Sequence, residues 1–128
     1  MVMSSYMDQE SVIIDELIAA IYERTGITVA TLDQIDCTQG QTAGSILSVL
    51  VEWCDRVSNP SYRHALYACF HTRFAHPFIG KLLEWWESER DFLCLSSLTQ
   101  TLALVAKADD ASAIWAASNR SMKISVRC

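Results

Sequence analysis

Residues 42–57 constrain this chain more than any other stretch. Read at about 100° per residue, Ile46, Leu47, Val49, Leu50, Val51, Trp53, Cys54 and Val57 cover more than half of a helical circumference. Only Ser48, Glu52, Asp55 and Arg56 are left for water. A helix this apolar must be covered on two sides, so the chain has to supply other elements that pack around it.

The same 3.6-residue rhythm supplies them. Ile14, Leu17, Ile18 and Ile21 mark a helix over residues 11–24, with Gly26 placed to close it in the left-handed conformation. Residues 27–44 read as a connector in which Thr31 caps at most one short turn. Asn59-Pro60 ends the second helix and begins a third, because proline has no N–H to lose at a first helical position. That third helix is expected to run to about Ala75 and to bury Tyr62, Ala65, Leu66, Cys69 and Phe70. His76-Pro77 opens a fourth, in which Phe78, Ile79, Leu82, Leu83, Trp85 and Trp86 share a face. Asp91 caps a fifth with a stripe of Leu95, Leu98, Leu102 and Val105, and Asp109 or Asp110 starts a short sixth through Trp115 to about Ser118. No segment combines period-two alternation with hairpin chemistry. The predicted fold is all-α with about six helices in one domain over residues 1–120; residues 121–128, of weak β character, are expected to be a frayed tail. The chain has 128 residues of which 51% are apolar, enough for one such core.

Shifting the chain by 33 residues aligns Ile46 with Ile79, Leu50 with Leu83, Trp53 with Trp86, Ala65 with Leu98 and Cys69 with Leu102. A two-helix period of this length is what stacked hairpins require, since one unit cannot bury its own apolar faces. The segment "NPSYRHAL" resembles the turn and second-helix start of HEAT repeats, with Asn59, Pro60, Tyr62 and Arg63 in the motif places. The next unit, "RDFLCLSSL", keeps a capping Asp91 but has Leu93 where the motif carries arginine. The resemblance spans roughly residues 42–118 and implies stacked antiparallel hairpins of the HEAT or armadillo kind; the alternative is a compact helical bundle.

Chemistry is sparse. Fifteen acidic against ten basic residues give a net charge of −5, a field that repels a phosphate backbone, so nucleic acid is not an expected partner. No apolar run has a signal peptide's pattern or a membrane span's length, which predicts a cytoplasmic, non-exported protein that does not engage a membrane. The five cysteines are odd in number and contain no CxxC pair, as expected of free thiols in a reducing compartment. All three histidines, His64, His71 and His76, fall within thirteen positions. On one helix His64 and His71 would stand about 20° apart but roughly 10 Å along the axis, too far to share a zinc with bonds of about 2.1 Å. They read as solvent-facing, and no metal or cofactor is expected. Cys69 and His71 would point about 160° apart on a helix, so that pair cannot act as nucleophile and base. Glu84 and Glu87, like Asp109 and Asp110, read as solvated helix surface and helix start, and "GQTAG" lacks the strand and lysine of a phosphate loop. No feature argues for an enzyme.

These readings point to a non-enzymatic module that binds a protein partner as an adaptor, an inhibitor or an immunity-type protein. The alternative is a regulatory bundle holding a small molecule in an aromatic-lined pocket near the tryptophans. The expected binding face is the outward side of the third and fifth helices, where the 33-residue offset sets His64 beside Ser97, Tyr67 beside Gln100 and His71 beside Leu104. Tyr67 is its expected hot spot. Trp53 and Trp86 are expected core anchors. Arg73, within about 40° of Leu66 and Cys69 on the third helix's stripe, is expected either to snorkel its head out at the helix end or, as the favoured reading, to be a structural strut paired with an acid such as Glu52 or Asp55.

Overall fold

The computed structural model describes the backbone of residues 2–121 and the side chains of residues 11–119. Six α-helices carry the fold: α1 (Val2–Thr25), α2 (Gly40–Cys54), α3 (Pro60–Ala68), α4 (Ile79–Ser88), α5 (Phe92–Val105) and α6 (Ala111–Ser121). Short 3-10 turns lie at Leu32–Gln34, Arg73–Phe78 and Ala108–Asp110, and there is no strand among the described residues. The all-α class and the helix count are as the periodicity predicts. The tail predicted over residues 121–128 lies outside the described residues apart from Ser121. Among the described residues no helix is long and apolar enough to cross a membrane.

Helix α2 is covered on two sides, as its composition demands: α1 packs on one, and α3 with the Arg73–Phe78 turn on the other. Its Ala43, Ile46, Leu47, Val49, Leu50, Trp53 and Cys54 are all buried. Helix α3 packs on α5, α4 on α5 and α6. Of the pairs aligned by the 33-residue offset, Leu50 with Leu83 and Trp53 with Trp86 are buried in both members, whereas Ile79, Ala65 and Cys69 are half-buried.

The helix ends follow the punctuation closely in three places. Gly26 sits at φ 76° and its N–H bonds the Tyr22 carbonyl at 2.7 Å, closing α1. Asn59 caps α3 by accepting from the Ser61 N–H, with Pro60 in the first turn. Asp91 caps α5 by accepting from the Cys94 N–H at 3.0 Å. A Cβ at position 26 would meet no atom within 4 Å, so Gly26→Ala tests the backbone alone. It should cost about 1 kcal/mol, read as a lower denaturant midpoint at unchanged slope.

The third helix is the main departure. It ends at Ala68 rather than near Ala75. Its last turn tightens, with the Cys69, Phe70 and His71 N–H groups bonding carbonyls three residues back. Thr72 then turns extended and caps the next element by accepting from the Phe74 N–H. Phe70 and Ala75, which a continuous helix would face about 140° apart, are both fully buried across this break. Pro77 falls inside the resulting 3-10 turn, and α4 starts only at Ile79.

Candidate functional site

Helices α3 and α5 pack on each other, and the Cys94 thiol near the start of α5 donates to the Pro60 carbonyl at the start of α3 (3.3 Å). Further along, the pair opens a groove of about 330 Å³ lined by His64, Ala68, His71, Leu93, Ser96, Ser97 and Gln100. No lining residue is acidic. Leu104 continues the same face of α5 one turn beyond Gln100 and is 48% exposed.

The structure thus gathers His64, His71, Ser97 and Gln100 around one groove, with Leu104 beyond it. Tyr67 is a correction. It is only 3% exposed and points inward, its ring centroid 5.2 Å from that of Trp85 and its hydroxyl donating to Glu89 at 3.2 Å. Burial, above all, and the neighbouring Glu89 carboxylate push the phenol's pKa up and keep it protonated. Leu93 takes over as the prominent apolar group, 62% exposed. It lies off the stripe of Leu95, Leu98, Leu102 and Val105, and that mismatch was the legible signal for it. Ala68 and Ser96 carried none.

Arg73 is the second correction. With α3 ended at Ala68, it is no longer on that helix's stripe; it is exposed, its guanidinium 4.8 Å from the Phe74 ring centroid. Glu52 faces Arg24 instead, and Asp55 accepts from Lys81 and the Trp85 indole, each at 2.9 Å. The buried strut is Arg63 with Glu89. Arg63 donates from Nε at 3.0 Å and Nη2 at 2.8 Å, and Glu89 also accepts from Tyr67 and from the backbone N–H groups of Arg90 and Asp91. Burial alone would raise the Glu89 pKa, but the Arg63 hydrogen bonds, the Asp91 N–H and the Arg63 charge together hold it below the ordinary glutamate range. A carboxylate so fully engaged has no lone pair for acid–base chemistry. Its role is to clamp the α4–α5 turn to α3.

His76 is the third correction. It is half-buried, and its Nε2 lies 2.9 Å from Asp110 Oδ2, joining the Arg73–Phe78 turn to the start of α6. Among the described residues no group of three His, Cys, Asp or Glu side chains is placed to hold a metal ion. Cys37, Cys54, Cys69 and Cys94 are free thiols, and Cys128 lies outside the described residues.

The described residues form a six-helix all-α protein with a groove free of acidic side chains between α3 and α5. No family model matches the chain, and no curated protein or solved structure does so either.

Proposed function

We propose that this chain is a non-enzymatic protein-binding module that presents the α3–α5 face to its partner, as an adaptor, an inhibitor or an immunity-type protein, on a scaffold of stacked helical hairpins. The supporting observation is the groove itself. In a chain of net charge −5 it is free of acidic side chains. Exposed Leu93 and Leu104 flank the hydrogen-bonding groups of Ser97 and Gln100. Exposed apolar side chains beside a few hydrogen-bonding groups and no acidic one are the composition of an interface rather than of a solubilising surface.

The test begins with a partner identified by affinity capture from the native cell. Its affinity is then measured for Leu93→Ser, His71→Ala and Gln100→Ala variants that melt as the parent does. Leu93→Ser should weaken binding at least tenfold, about 1.4 kcal/mol, while Trp115→Ser, exposed on α6, should leave it unchanged. Full affinity in all three groove variants would place the interface elsewhere.

A second reading rests on an apolar pocket of about 270 Å³ between α4, α5 and α6, lined by Trp86, Thr99, Leu102, Ala103, Ala106, Ile114 and Ser118. Thr99 accepts from the Trp86 indole at 3.1 Å, so only an apolar small molecule would suit the site. Its volume is below the usual range for ligand pockets, which favours the first reading.

A further inference from the structure

The acidic residues of this chain are spread unevenly. All fifteen lie outside residues 60–83 and 92–108, the stretches that build α3, the Arg73–Phe78 turn, the start of α4 and the whole of α5. The first of these stretches holds His64, His71 and Arg73, and α5 carries no charged side chain at all. Among the described residues none of those three is paired with an acid: Glu89 is taken by Arg63, Asp110 by His76 and Asp55 by Lys81, while Asp91 caps α5 through the Cys94 N–H. Every polar side chain lining the groove, from His64, His71, Ser96, Ser97 and Gln100, carries a hydrogen-bond donor. The Arg73–Phe78 turn also packs on α5, and its first residue is the exposed Arg73, two positions past His71.

We propose, resting on the reading of the α3–α5 face as the protein-binding surface, that the partner enters this groove with an acidic peptide segment. Its carboxylates are received by His64, His71, Gln100 and Arg73, and an apolar residue of the segment sits on Leu93. An ionised carboxylate only accepts hydrogen bonds, and the lining offers donors throughout; a histidine donates from one ring nitrogen when neutral and from both when charged. Arg73 adds a charge-assisted donor with no acid of its own chain to satisfy. A cationic segment would find no carboxylate in the lining to meet it. The net charge of −5 acts at long range and is largely screened beyond about 8 Å at physiological salt, whereas contact is decided by the groups that line the groove. A nucleic acid fits less well, since neither lysine nor arginine lines the groove to neutralise successive phosphates.

The experiment titrates fluorescein-labelled peptides of about ten residues, built from Glu-Glu-Leu, Gln-Gln-Leu or Lys-Lys-Leu repeats, with the full-length chain at physiological ionic strength and reads anisotropy. The Glu-Glu-Leu peptide should bind about tenfold more tightly than Gln-Gln-Leu, with Lys-Lys-Leu the weakest. The double variant His71→Gln, Arg73→Gln changes two exposed side chains, so it should melt as the parent does and lose that preference. Leu93→Ser should instead weaken the Glu-Glu-Leu and Gln-Gln-Leu peptides alike. Equal affinity for those two peptides, a preference for Lys-Lys-Leu, no measurable binding of Glu-Glu-Leu, or tighter binding of a labelled oligothymidylate would each overturn the acidic assignment. The broader protein-binding role fails separately, on a captured partner whose affinity is unchanged in the groove variants.

Discussion

Glu89→Ala is expected to lower the unfolding free energy by about 3–5 kcal/mol, one of the two largest single losses this fold should show. The carboxylate is the meeting point of five donors from Arg63, Tyr67, Arg90 and Asp91. Removing it leaves a guanidinium that is only 18% exposed without its counter-charge and a buried hydroxyl without its acceptor. Glu89→Gln keeps the shape and part of the hydrogen bonding, so it should cost less. The two variants also differ from the parent in acid. Because the folded-state pKa of Glu89 is depressed, its contribution is fully present above the unfolded value, ordinarily about 4.3, and is lost as the pH falls through the folded value. Urea midpoints between pH 7 and pH 3 should therefore fall less steeply in Glu89→Gln than in the parent. A loss below about 1 kcal/mol at pH 7 for Glu89→Ala would reduce the clamp to a surface ion pair.

Trp85→Ala should cost about 3–5 kcal/mol. The indole is 4% exposed, 5.4 Å from Phe70 in edge contact and 5.2 Å from Tyr67, and it donates to Asp55 at 2.9 Å. It therefore ties α4 to the end of α2 while filling the space above α3. Trp115, 68% exposed on α6, is the internal comparison: its replacement by Ala should change stability by no more than about 0.5 kcal/mol. Equal denaturant midpoints for the two variants would contradict this placement of Trp85.

The candidate site was legible in part, and the residues show where legibility stops. His64, His71, Ser97, Gln100 and Leu104 are not needed by any apolar stripe, so a helical wheel puts them outside. Tyr67 looked like one of them, because a phenol at a stripe's margin can face either way. What turned it inward is the carboxylate of Glu89, twenty-two residues on, together with the face of Trp85. Arg73 was misplaced for a related reason. Its wheel position assumed a helix that in fact ends at Ala68, with Thr72 extended beyond it.

Local physics therefore determined the class, the number of helices, the doubly covered α2 and the ends at Gly26, Asn59-Pro60 and Asp91. Periodicity, proline's missing donor and side-chain capping act within a few residues and owe little to the rest of the chain. Tertiary structure alone decided the Arg63–Glu89 clamp, the His76–Asp110 link and the inward turn of Tyr67. Each joins residues between 22 and 34 positions apart. A side chain with two compatible orientations takes the one its distant neighbour satisfies, since a buried polar group left without a partner costs more than any local preference supplies.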